Sequence, residues 1–234
     1  MGAIFRREFG AFFTSSIAYI FLSVFWLISA FFFYTTNLAY STTDMSGLFQ
    51  SMFLVVVILI PLLTMRLFSE EKKQKTEQGL LTAPVSLGGI VMGKYFAALA
   101  LYTIGLLMTL VYALIISAYG VVEWGIVFSN FLALFLIGGA FIAIGLLISA
   151  LTENQIAAAV LTFIVLILLF MLDSINMLVN IEWISKVLSY LSFNRRYNAI
   201  TCGLFNASTV LFYISVAVIF NYLTVRVFER RRWS

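Results

Sequence analysis

The sequence predicts an all-α integral membrane protein with six transmembrane helices, and three observations predict it. Apolar residues make up 63% of the 234-residue chain and charged residues 10%, against about 45–50% and about 25% in soluble domains. No soluble core in so short a chain hides that much apolar surface; bilayer hydrocarbon does. The apolar residues fall in six blocks, 16–34, 48–66, 95–118, 126–149, 156–172 and 209–228, each near the roughly 20 residues that a spanning helix needs. They lack the alternation of barrel strands, and backbone groups in lipid must pair within their own segment, so each block is read as a helix.

The third observation is the placement of Lys and Arg. With six spans both termini share one side, which holds eleven of the fourteen: Arg6, Arg7, Arg66, Lys72, Lys73, Lys75, Lys94, Arg226, Arg230, Arg231 and Arg232. The other side holds Lys186, Arg195 and Arg196. The positive-inside rule then puts both termini in the cytoplasm of a cell inner (plasma) membrane. An odd number of spans would split the two basic termini across the bilayer.

The chain reads as one membrane domain, 1–234, with three segments outside the spans. In 1–15, Ile4, Phe5, Phe9, Phe12 and Phe13 share a helical face, with Arg6, Arg7 and Glu8 away from it; this suits an interfacial helix, the alternative being a frayed extension of the first span. Arg6 and Arg7 before an apolar run resemble a signal peptide, but the run from Phe9 to Tyr34 exceeds the about 7–15 residues of a signal core, so a retained helix is expected. The segment 67–94 is a charged cytoplasmic connection. The segment 173–208 is too interrupted to span, and the apolar spacing in 178–193 predicts a short re-entrant helix dipping into the outer leaflet.

Composition excludes much enzyme chemistry. The chain has no His and one cysteine, Cys202, so the commonest general base and metal ligand is missing and no intrachain disulfide forms. No metal site, bound cofactor or nucleic-acid partner is expected. Gly88–Lys94 fits the start of a phosphate-binding loop, yet Tyr95 stands where Ser or Thr must hold magnesium. Gly88 and Gly89 are read instead as a turn, with Lys94 anchoring the third span at the headgroups. Glu123, Glu153 and Asp173 lie at span ends, so no midplane charge marks ion coupling. Pro61 falls inside the second span and removes a backbone hydrogen bond there, predicting a kink. Gly139 with Ala143, and Ala157–Ala159, have the spacing of close helix contacts, within one subunit or between two.

The stretch 69–84 (SEEKKQKTEQGLLTAP) opens with Ser69 as an N-cap and Glu70 and Glu71 at the positive end of a helix. Glu70, Glu71 and Glu77 mix with Lys72, Lys73 and Lys75. It reads either as a solvated loop or as a helix of about three turns that docks into a soluble partner.

From Arg66 to Lys94 the chain resembles the permeases of ABC-2 exporters. The residues that carry the resemblance are Arg66, Phe68, Glu71, Thr76, the run Gly79-Leu80-Leu81-Thr82-Ala83-Pro84-Val85-Ser86, and Gly93-Lys94. The tail LSYLSFNRRYNAITCGLFNASTVLFYIS is similar to permeases of the gliding-motility type and those associated with nitrous oxide reductase maturation. It departs from the former at Arg195 and Arg196, where those relatives often carry His and aromatic residues, so their substrates do not transfer. The resemblance implies a permease working as a dimer with a second copy or a paralogue, in contact with membrane lipid. A separate cytoplasmic ATPase subunit would bind ATP and magnesium. It implies that 67–94 serves as a coupling helix, with Glu70, Glu71, Lys72, Lys73, Thr76, Glu77 and Gly79 facing the ATPase and Glu71 and Glu77 accepting its Arg or Lys. It also implies an N-terminal helix beside the coupling helix and a substrate route lined by spans one, two and five. The competing reading is a structural or regulatory membrane subunit without transport.

The Lys and Arg distribution predicts that cysteines or reporters at either terminus face the cytoplasm. Labelling of a terminus by an impermeant external reagent would overturn the topology.

Overall fold

The computed structural model describes residues 1–75, 85–178, 182–201 and 206–232. The chain begins with α1 (Gly2–Thr14), ended by Ser15, whose extended backbone (φ −99°, ψ 158°) breaks the chain direction before α2 (Ser16–Phe33). The N-terminal segment is therefore a separate helix and not an extension of the first span. The end of α2 widens into a π-helical turn, Tyr34–Leu38. Buried Asn37 in that turn donates its amide to the carbonyls of Thr42 (3.3 Å) and Asp44 (2.8 Å), fixing the connection to α3 (Ser46–Thr64).

After α3 come the short α4 (Ser69–Lys73), α5 (Leu87–Ser117), α6 (Trp124–Leu151), α7 (Gln155–Leu178), α8 (Glu182–Leu191), α9 (Phe193–Thr201) and α10 (Ala207–Arg232). Among the described residues six helices are long and apolar enough to cross a membrane, and they correspond to the six blocks read from sequence. The third starts at Leu87, well before Tyr95, because the Ser86 hydroxyl accepts from Gly89 N (3.2 Å) and caps it. Gly88 and Gly89 thus lie in the first helical turn and do not form a loop. Helical hydrogen bonding in α3 continues past Pro61 and ends at Thr64, one turn later.

The centre of the bundle is α3 against α6, each with 67% of its spanning window buried. Around them, α5 touches α2, α6 and α10, and α7 covers the α3–α6 seam. Only 17% of the windows of α7 and α10 is buried, and residues such as Ile156, Leu168, Leu211 and Val218 point outward. Burial against lipid gains no hydrophobic energy, so helix association depends on close packing. Gly138 shows how: a Cβ there would overlap the ring of buried Tyr102, whose hydroxyl donates to Leu134 O at 2.8 Å. Gly139 and Ala143 are buried on the same helix, so their small size serves packing inside this subunit rather than contact between copies.

One end of the bundle carries α1, α4, the start of α5 and the end of α10; it is called the basic end here. At the opposite end, α8, which covers most of the predicted re-entrant stretch, has no buried residue. The helix that packs between the spans is its successor, α9, within the same predicted segment 173–208. Tyr197 is fully buried, donates to Phe49 O of α3 (2.7 Å) and packs on Phe53 at 4.9 Å between ring centroids. Phe193 lies against Phe141 of α6, and Tyr213 of α10 donates to Phe193 O (3.0 Å). Periodicity of apolar residues favoured α8, but amphipathicity alone does not say whether an apolar face meets lipid or protein.

Candidate functional site: an ionic knot at the basic end

Capping at Ser86 puts Lys94 in the second turn of α5, on the face toward α1 and α4. Its side chain is 1% exposed, so it is not a headgroup anchor. A buried ammonium is costly unless paired and hydrogen-bonded, and Lys94 Nζ has three acceptors from three segments. It donates to Leu67 O in the α3–α4 turn (2.6 Å), to Glu71 of α4 (2.9 Å), and reaches Glu8 of α1 at 3.2 Å. The Phe68 ring lies 5.0 Å away.

A second ring of charge closes around this centre. Arg7 bridges Glu8 (2.6 Å) and Glu71 (3.3 Å). Arg66 pairs with Glu70 (2.8 Å) and donates to the Ser15 hydroxyl (2.8 Å), holding the α1–α2 break. Together these side chains and Gln74 line a polar cleft of about 290 Å³. Burial alone would raise the Glu8 carboxyl, but Lys94 and Arg7 outweigh it and hold Glu8 below the ordinary glutamate range. Since its native titration is depressed, the stabilising charge is complete above the unfolded value and is lost as pH falls through the native one.

Backbone contacts make the knot rigid. The Ser149 hydroxyl of α6 accepts from the orphan amides of Phe68 (3.1 Å) and Ser69 (3.2 Å) at the start of α4, and donates to Met65 O (3.2 Å). Ser69 is the first helical residue rather than the cap; its hydroxyl bonds Met65 O. Lys72 reaches Glu153 beyond α6 (3.3 Å). Phe68 packs on Phe228 with the rings tilted by 47°, and Arg231 donates to Ala150 O (2.8 Å), tying in α10. At Gly93, α1 crosses so closely that a Cβ would stand 2.8 Å from Ile4.

The sequence-predicted residues therefore separate into two groups. Glu8, Glu70 and Glu71 face into the protein, with partners of their own; Glu8 does not lie with Arg6 and Arg7 on a solvated face. Arg6, Lys73, Gln74 and Lys75 are exposed. Of the expected three-turn helix over 69–83 only 69–75 lie among the described residues: α4 covers Ser69–Lys73, and Lys75 follows at φ 56°. Thr76, Glu77 and Gly79 lie outside the described residues. Pro61 is buried in α3, a turn before the knot. Sequence reasoning missed Lys94, Arg66, Ser15 and Ser149 as partners. For Lys94 the signal was available: a Ser86 cap starts the helix early enough to carry the lysine inward.

A family model described as ABC-2 family transporter protein matches residues 30–233. No curated protein matches the chain.

Replacing Lys94 by Met leaves Glu8 and Glu71 buried without their shared cation, and such a loss costs about 3–5 kcal/mol. Thermal unfolding in detergent should show Lys94→Met strongly destabilised. Adding Glu8→Gln and Glu71→Gln should recover much of the loss; equal stability of wild type and Lys94→Met would refute the knot.

Proposed function

The chain belongs to the ABC-2 transporter family, and we propose that it is the permease subunit of an exporter, pairing with a second permease and driven by a separate cytoplasmic ATPase. Six apolar helices among the described residues and the family match make it a multi-pass membrane protein of that family. The basic end is taken as cytoplasmic from its excess of Lys and Arg.

The observation that carries this reading is the Lys94 knot. A transporter whose motor is a separate chain needs a part of the permease that the motor can push without the push being absorbed locally. Lys94 binds α1, the α3–α4 turn and α4 to the first turns of a 31-residue spanning helix. Ser149 and Arg231 extend the same body to α6 and α10. Force applied to α4 is thereby delivered to four spans.

This reading revises which residues meet the motor. Glu71 is occupied inside the permease, so the described docking surface is cationic: exposed Lys73 at the end of α4 and Lys75 just past it, together with exposed Arg6 of α1 at the same end of the bundle. The complementary groups on the ATPase are carboxylates. Close charge pairs desolvated at an interface couple by about 1.5–7 kcal/mol.

Lys73→Glu with Lys75→Glu should weaken co-purification of the ATPase by about tenfold or more, a loss equivalent to roughly 1.4 kcal/mol, while the permease keeps its thermal stability. Glu71→Gln should show the reverse order of effects, lowering permease stability first. Unchanged ATPase association and unchanged substrate-stimulated ATP hydrolysis in the double reversal would refute the docking surface. Failure of the reconstituted complex to move any candidate substrate across liposomes would favour a non-transporting subunit.

A further inference from the structure

On the outer face of the bundle, a groove of about 540 Å³ runs between α5, α6 and α10. This is within the roughly 300–1,000 Å³ of pockets that hold small ligands. Its floor is Leu99, Phe135 and Gly139, and its α10 wall is Ile214, Ala217 and Val218. At Gly139 the floor is packed closely by α5: a Cβ there would stand 3.0 Å from the Tyr95 hydroxyl. Ile214 and Val218 are 45% and 61% exposed, so the groove opens sideways, toward the hydrocarbon.

The groove is lined almost wholly by apolar surface, and the charge lies just outside its mouth. From mid-span it runs toward the basic end, where Met92, Tyr222 and Val225 form its mouth. Arg226 follows directly, just beyond the lining: its Nε donates to the Tyr222 hydroxyl (2.7 Å), its guanidinium lies 5.0 Å from the Tyr222 ring, and its Nη1 pairs with Glu229 (2.8 Å), while the side chain stays 60% exposed with its Nη2 directed to no carboxylate among the described residues. A cation held at the mouth of an apolar channel, at the level where the spans leave the hydrocarbon, matches one chemistry. That chemistry is an anionic headgroup with an acyl chain beneath it. Inside, the Asn221 amide donates to Ala217 O (2.9 Å), and Tyr95 lines the α5 side.

We propose that this groove binds one acyl chain of an anionic membrane phospholipid, with its phosphate at Arg226 and Tyr222. The site lies outside the α3–α6 centre and is independent of the ionic knot. It seats a resident lipid against α5, the helix that carries Lys94, and against α10, the helix tied to α6 through Arg231.

The test uses the full-length protein in vesicles of phosphatidylcholine with 20% phosphatidylglycerol, about a fifth anionic lipid as a cytoplasmic-leaflet mimic. A photoreactive diazirine acyl chain is placed on one lipid or the other, and adducts are mapped by mass spectrometry. The phosphatidylglycerol probe should label α6 and α10 around Gly139 and Ala217 several-fold more than the outward face of α2 around Leu27. Ala217→Trp, which fills the groove, should remove the excess and leave α2 labelling unchanged. Arg226→Ala should abolish the preference for the anionic probe; being exposed, this variant keeps the test valid if Ala217→Trp does not assemble. Labelling no greater than on α2, or equal labelling by both probes in the wild type, overturns the proposal. So does disulfide formation between Val218→Cys residues of two copies, which would show a second permease covering the groove.

Discussion

A lysine side chain with 1% exposure at the edge of a membrane constrains everything around it. Its ammonium cannot be left unpaired without a cost of several kcal/mol, so the chain must bring acceptors to it. Those acceptors come from sequence positions far apart: Glu8 in the interfacial helix, Leu67 O in a turn, and Glu71 in the short α4. Satisfying one charge thus fixes the position of α1, the direction in which the chain leaves α3, and the rotation of α5. The neighbouring pairs of Arg7 and Arg66 add to an arrangement already dictated by Lys94. Surface ion pairs alone contribute little; the burial of one member is what gives this cluster its leverage.

The two ends of the bundle are locked by different physics. At the basic end, charge and backbone hydrogen bonds hold helices that lipid would otherwise leave indifferent to one another. At the opposite end, α9 is wedged between spans by aromatic contacts and by tyrosine hydroxyls that reach backbone carbonyls at Phe49 and Phe193. Between them, contact relies on missing side chains, as where Tyr102 lies over Gly138. Such an arrangement suits the proposed function, in which one end would transmit force while the other closes the bundle.

Six spans and a separate N-terminal helix were legible in the sequence because hydropathy and length report directly on solvation by lipid. The docking of α9 was not, since apolar spacing marked α8, and only the tertiary structure shows which apolar face meets protein. The site was half legible. Charge in 69–75 pointed to the right segment, but local pattern treats a Glu on a polar helix as solvated. Glu71 and Glu8 turn inward because of Lys94, 23 and 86 residues away, and no periodicity records such a pairing. Lys94 itself was misplaced by reading Gly88-Gly89 as a turn. Once Ser86 caps the helix, the lysine must point along a face that α1 crosses.

The central claim is that α1 and α4 move with the start of α5 as one body. It is tested by the distance between spin labels at Arg6 and Gln74, in a chain whose Cys202 is replaced by Ser, bound in vesicles to the ATPase proposed to drive it. The distribution should be narrow and keep its mean distance between nucleotide-free and ATP-trapped states, and it should broaden in Lys94→Met. A shift with nucleotide in the wild type, or a distribution in Lys94→Met as narrow as the wild type, would contradict it.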